Sequence, residues 1–282
     1  MFDKLADSHT HIFTADFACD QEEVIERASQ AGIRMMVMPN IDCESIPNVL
    51  RLAKRYPEQL NYALGIHPEA IDDQFEQCLA LCKTTIERQL TDIQFVAIGE
   101  IGLDYYWDDT YRTQQEKALR IQFEWAIEYD LPVILHTRKA HQEMVKAVSE
   151  YAPEGLRGVF HSFDGTDEEL ERLLLFENFF IGINGIVTFK KNEALRKTVK
   201  GIPNNRLLIE TDAPYLSPHP LRGKRNEPAH LVHTLDAIAS EKGMSSALLA
   251  EITYHNTERL FKKIIAEKHV KSKKKCRFAS DC

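Results

Sequence analysis

Short apolar runs alternate with longer stretches of helical periodicity from one end of this chain to the other, and that alternation limits its fold more than any other feature. The runs lie at 4–12, 33–39, 60–66, 95–101, 132–136, 158–161, 179–184 and 206–210. Between them apolar residues recur at intervals of three and four, as at 20–31, 114–129 and 166–176. Asp20 stands three residues before Glu23, and Thr166 three before Glu169, so both pairs read as capping boxes at helix starts. Gly32 and Asp130 stand where helices should stop before the next strand. Strand–helix alternation repeated eight times predicts an α/β fold with a parallel sheet, and eight such units close into a single (β/α)8 TIM barrel.

Composition narrows the class further. With 44% hydrophobic and 28% charged residues, disorder is excluded as the main state. No repeat and no Pro/Gly-rich linker divides the chain, so 1–265 reads as one domain. The basic stretch KHVKSKKKCR, inside 266–282, reads as a solvated, disordered tail. Net charge is −8, from 43 acidic against 35 basic residues, which argues against a broad basic face that coats long nucleic acid. It leaves room for an enzyme that grips one or two phosphates. No run of 18 apolar residues occurs, and the amino terminus lacks the regions of a signal peptide, so the expectation is a cytoplasmic protein without a membrane partner. Cys19, Cys43, Cys78, Cys82, Cys276 and Cys282 form no CxxC pair and are expected to be reduced thiols.

The side chains that carry chemistry stand where the apolar runs end. The first run closes with Asp7-Ser8-His9-Thr10-His11, and residues two apart on a strand share a face, so His9 and His11 aim together. The fourth run closes with Glu100, the fifth with His136 and the sixth with His161, while Thr211 and Asp212 follow the eighth. In a closed barrel these carboxyl ends form one rim, so six residues from distant parts of the chain converge. Four imidazoles and two carboxylates gathered there call for a cation. Neutral His with ionised Asp or Glu suits zinc, manganese, iron or cobalt, and the thiolates of a structural zinc site are absent.

The motifs DSHTH at 7–11, GIHP at 65–68, GEIGLDYY at 99–106, LPVILHTR at 131–138, HSFDG at 161–165, ETDAPYLSP at 210–218, RNEP at 225–228 and NTERLF at 256–261 resemble the TatD family of metal-dependent hydrolases, in order from about residue 5 to 265. The resemblance implies a TIM-barrel phosphoesterase, with DNase or exonuclease activity reported for some members. It also implies two divalent ions (Zn, Mn, Mg, Co or Ni). One would be held by His9, His11, Glu100 and Asp212, the second by His136 and His161, with Glu100 bridging. Glu100 and Asp212 are then the catalytic carboxylates, Asp212 taking the proton of a metal-activated water. Members often carry Asp or Asn shortly after the HxH, whereas Ile12-Phe13 follows here.

A phosphate-bearing substrate, with nucleic-acid ends foremost, is expected from the cations of the rim loops. These are Arg138 and Lys139 after the fifth strand, Lys190 and Lys191 after the seventh, and Arg222, Lys224 and Arg225 after the eighth. Arg138, two residues past a ligand, is the leading phosphate contact. His67 reads as a substrate contact or a support rather than a ligand. Asp104, Tyr105 and Tyr106 are placed at the mouth, where a tyrosine could stack a base. His141, His230, His233 and His255 fall outside the site. The competing reading is an amidohydrolase or carboxyl-ester hydrolase on the same barrel, for example an aminoacyl-tRNA deacylase. Many of those relatives bridge their metals with a carboxylated lysine on strand 4, and 95–101 contains no Lys. A metal-binding protein without turnover is the third class.

Overall fold

The computed structural model describes residues 4–106 and 110–261; the predicted tail at 266–282, with Cys276 and Cys282, lies outside the described residues. Eight strands form one sheet in chain order. They are β1 (Leu5–Asp7), β2 (Ile33–Pro39), β3 (Leu60–Leu64), β4 (Phe95–Asp104), β5 (Val133–Arg138), β6 (Gly158–Phe160), β7 (Phe179–Ile183) and β8 (Leu207–Ile209). Every neighbouring pair from β1 to β8 is parallel. The ring is brought almost to closure beyond the regular ladders: Ser8 N–H donates to Ile209 O (3.1 Å), Asp212 N–H to His9 O (2.9 Å) and His11 N–H to Ala213 O (2.7 Å). The chain after β1 therefore runs alongside the chain after β8, and this seam carries three of the candidate site residues.

Around the sheet lie α1 (Gln21–Gln30), α2 (Ile46–Arg55), α3 (Phe75–Gln89), α4 (Arg112–Tyr129), α5 (His141–Tyr151), α6 (Asp167–Leu174), α7 (Glu193–Gly201), α8 (Leu231–Lys242) and α9 (Ser246–Phe261). Local chemistry marks some of their starts and stops. Thr166 and Glu169 make the reciprocal capping box at the start of α6. Asp130, in left-handed backbone at φ 54°, ends α4. Asp20 makes no side-chain cap on α1, because its carboxylate is taken by Arg27 and Arg225.

Strand parity sorts the interior. Val37, Ala63, Ala97, Ile134, Val159, Phe180 and Leu208 belong to one buried apolar cluster, which α9 completes with Leu260 and Phe261. Two residues further along their strands come His136, His161 and Glu210, on the same face. A polar layer thus stands on an apolar floor, and the larger core lies between the sheet and the helices.

Further expectations need correction: β1 ends at Asp7, so His9 and His11 follow the strand rather than lie within it. Strand 4 does not close at 101 but runs to Asp104, and its register against β5 shifts between Ile98 and Ile101, so Glu100 sits inside an irregularity rather than at a strand end. A Cβ on Gly102 would come within 2.0 Å of His136 O, so only glycine allows β4 to hug β5 there. The cysteines are not all free thiols. Cys43, in the loop after β2, is bonded to Cys78 on α3, with Cα atoms 5.8 Å apart across 35 residues of sequence. Spacing could not show that the β2–α2 loop packs against α3. Cys19 and Cys82 are free thiols. Among the described residues no helix is long and apolar enough to cross a membrane.

Candidate metal centre

Glu100 occupies the middle of the mouth, and each of its oxygens faces a different set of imidazoles. Oε2 lies 3.2 Å from His9 Nε2 and 3.5 Å from His11 Nε2. Asp212 Oδ1 completes this side, 3.6 Å from His9 Nε2 and 3.5 Å from His11 Nε2. Oε1 lies 3.1 Å from His136 Nδ1, 3.1 Å from His161 Nε2 and 3.3 Å from His67 Nε2. His9 and Glu100 are fully or almost fully buried. A four-coordinate ion with bonds near 2.1 Å separates its ligands by about 3.4 Å, so these spacings are those of side chains sharing a cation. His9 Nε2 and His11 Nε2 are 3.0 Å apart, which sets two lone pairs against each other unless a proton or a metal stands between them. Among the described residues, His9/His11/Glu100, His9/His161/Asp212 and His67/Glu100/His136 are the groups able to hold a metal ion.

The far nitrogen of each ring tells which imidazoles offer a lone pair. His11 Nδ1 faces Pro39 O (3.2 Å), His136 Nε2 faces Asp104 Oδ2 (2.8 Å) and His161 Nδ1 faces Glu210 Oε1 (3.1 Å). Each of those partners can only accept, so the far nitrogen carries the hydrogen and the near one, in the neutral ring, offers its lone pair to the pocket. His67 is reversed. Its Nδ1 accepts from Glu69 N–H (3.1 Å), so the neutral ring carries its hydrogen on Nε2 and donates it toward Glu100. On this ground His67 acts as a donor in the pocket, although its position alone would group it with the ligands. His9 Nδ1 is buried without a hydrogen-bond partner among the described residues.

The charges follow from this packing. Burial works to raise the Glu100 pKa, but the imidazoles around it hold the carboxyl well below its usual range. Asp212 is likewise held low by His11, His161 and His9 against the effect of burial. Burial opposes charge on His136, yet Asp104 and Glu100 carry its pKa up to about 9, and His161 is raised well above normal by Glu100 and Glu210. Burial dominates at His9 and His67 and lowers both. Without a cation, protons on His136 and His161 balance Glu100.

Three contributors escape the strand-end argument. Asp104 and Glu210 stand behind His136 and His161, and Glu210 also accepts from Ser162 N–H (2.6 Å) and Ser8 Oγ (3.2 Å). A Cβ on Gly182 would come within 2.5 Å of Glu210 Oε2, so β7 makes room for that carboxylate. Asp7 is the third. It ties β1 to the chain after β8 by accepting from Thr211 N–H (2.9 Å), Thr211 Oγ1 (2.5 Å) and His9 N–H (3.3 Å), and burial pushes its pKa up to about 8.

The centre opens into a cavity of about 550 Å³ lined by His67, Arg138, Asp212, Tyr215 and neighbours. Arg138 lies over the Tyr106 ring, 3.8 Å from its centroid, which fixes the guanidinium at the rim. Two of the other expected cations turn to partners of their own. Arg225 does not face the pocket: it grips both oxygens of Asp20 (2.7 and 2.6 Å), and Arg222 lies over Phe189, 3.9 Å from the centroid. Asn226, next to Arg225, holds the loop that bears Asp212 by donating to Thr211 O (2.8 Å) and Tyr215 O (2.7 Å). His230 pairs with Asn226, and His255 with Glu258 on α9, both away from Glu100.

Residues 6–262 match the family model described as TatD related DNase. The chain is 38% identical over 92% of its length to the uncharacterized metal-dependent hydrolase YabD of Bacillus subtilis, covering 99% of that protein. It is 35% identical over 90% of its length to a protein of Erwinia tasmaniensis named 3'-5' ssDNA/RNA exonuclease TatD, covering 98% of it. Among solved structures, the TatD homologue YjjV of Escherichia coli superposes with a TM-score of 0.86 at 31% identity, over 93% of this chain and 99% of that one.

Proposed function

The chain belongs to the family of TatD-related DNases and is a metal-dependent hydrolase, and from that premise we propose that it cleaves phosphodiester bonds at the ends of single-stranded nucleic acid. The observation that carries this reading is the two-sided use of Glu100. Its Oε2 faces His9 and His11, with Asp212 beside them, and its Oε1 faces His136 and His161, and this two-sidedness supports a reading with two divalent ions. When bound, such ions supply Lewis acidity toward a phosphoryl oxygen and make water more acidic.

The remaining work falls to the chain. Glu100, kept ionised by its imidazoles, holds the two halves of the centre in register. Asp212, also ionised, accepts the proton of the attacking water through Oδ1. The water oxygen bonds to phosphorus, the ester P–O bond breaks, and Asp212 returns the proton to the leaving oxygen. Arg138 neutralises the phosphate from the rim, and His67, donating its Nε2 hydrogen toward Glu100, steadies that carboxylate. The relative named as an exonuclease supports the choice of single strands.

End-labelled single-stranded oligonucleotide incubated with Mg²⁺, Mn²⁺ or Co²⁺ should be shortened from one end and spared by Glu100→Ala. Intact oligonucleotide alongside turnover of carboxyl esters or amides by the same sample would replace this reading with the amidohydrolase one.

A further inference from the structure

Beyond Arg138 lies a second cavity of about 570 Å³ that the hydrolytic steps do not use. It shares Thr137, Arg138, His161 and Asp164 with the central cavity, so these residues form the partition between the two. Its inner wall is apolar, with Phe160, Phe163 and Leu173 all buried. Two buried polar atoms among its lining residues, Thr137 Oγ1 and His141 Nε2, have no hydrogen-bond partner among the described residues. An orphaned buried donor or acceptor destabilises the fold, and a bound polar edge would relieve it. Beside the partition, Lys139 and Ser162 are held in left-handed backbone at φ 55° and 52°, a conformation that non-glycine residues rarely adopt.

Charge sorts what could enter. Asp164 and Glu169 line the cavity and repel phosphate, while they can accept from the amino groups of a base. Arg138 and Lys139 favour phosphate instead. We infer that this cavity seats the base of the nucleotide next to the scissile bond, with the intervening phosphate held at the partition by Arg138 and from beside it by Lys139. The inference rests on the phosphodiesterase reading and deepens it: the substrate is a strand of at least two nucleotides, gripped on the α5–α6 side of the barrel mouth. Base stacking on the Phe163 wall and hydrogen bonds to Thr137 and His141 supply the grip.

The test compares a short oligonucleotide with a chromogenic phosphodiester of a single nucleotide, both with Mn²⁺-loaded enzyme. Wild type should prefer the oligonucleotide by about tenfold in kcat/KM. Gln142→Trp, which fills the cavity from α5, and His141→Leu, which removes the orphaned nitrogen, should each shrink that preference to nearly nothing, chiefly through the oligonucleotide's KM. Equal preference in wild type, or equal losses on both substrates in the variants, overturns the subsite and leaves the phosphodiesterase reading standing. If neither substrate is cleaved while the metal is bound, the phosphodiesterase reading fails and the subsite with it.

Discussion

On the Oε2 side of Glu100, His9 and His11 come from one stretch of chain; His9 Nδ1 has no hydrogen-bond partner among the described residues, and His11 is backed by the neutral carbonyl of Pro39. On the Oε1 side, His136 and His161 come from two strands, and each has a carboxylate behind it, Asp104 or Glu210. An anionic partner fixes the tautomer and raises the basicity of the near nitrogen, so the physical expectation is a tighter cation on the Oε1 side. The Oε2 side has Asp212 instead, a carboxylate held in left-handed backbone at φ 57° in the loop after β8. One half has carboxylates behind its imidazoles, and the other has a carboxylate facing them.

The largest test removes what both halves share. Glu100→Ala should lower hydrolysis by about four orders of magnitude, and metal analysis should show neither position filled to the wild-type level. Asp212→Asn keeps the shape of the Oε2 side and removes its base. Activity should fall by about a thousandfold while chelator competition still finds the tighter ion in place. Loss of both ions would erase the distinction between the halves. Glu210→Gln and Asp104→Asn weaken only the backing, and each should cost about ten- to a hundredfold in affinity for the tighter ion. Unaltered affinity in both variants would show that the carboxylates do not tune the metal.

Proton linkage sharpens the same contrast. His136 binds a proton up to about pH 9 in the metal-free protein, so metal must displace it, and affinity on the Oε1 side should rise with pH until about 9. Calorimetry in buffers of different ionisation enthalpy would register the released protons. The smallest effect lies away from the centre. Arg225 and Arg27 lower the Asp20 pKa from 3.8 to about 2, so the stability this contributes is present above 3.8 and lost as pH falls through 2. Asp20→Asn should cost about 1 kcal/mol in denaturant melts and leave metal uptake as in wild type.

How far the sequence speaks can be judged residue by residue. All eight strands are legible, because apolar runs punctuated by helical periods leave few alternatives. His9, His11, His136, His161, Glu100 and Asp212 are legible because the barrel rule turns chain order into a shared rim. Asp104 and Glu210 are not, since no spacing tells that a side chain meets the rear of an imidazole. The irregularity in β4 hides Asp104 further, carrying the strand past Glu100 and bringing Asp104 beside His136. Arg225 and Asp20 mislead for a related reason: a loop cation and a cap-like acid, each plausible alone, neutralise each other across 205 positions. The Cys43–Cys78 bond and the second cavity likewise depend on contacts between loops and helices that periodicity does not encode.

The seam between the first and last strands has a further meaning for the life of the molecule. His9 and His11 emerge from the ribosome long before Asp212, and the hydrogen bonds from Asp212 N–H to His9 O and from Thr211 to Asp7 join them only when the ring is complete. The imidazole pair and the carboxylate that faces it therefore come together only in the closed ring. Until the last strand meets the first, His9 and His11 lack the carboxylate that faces them.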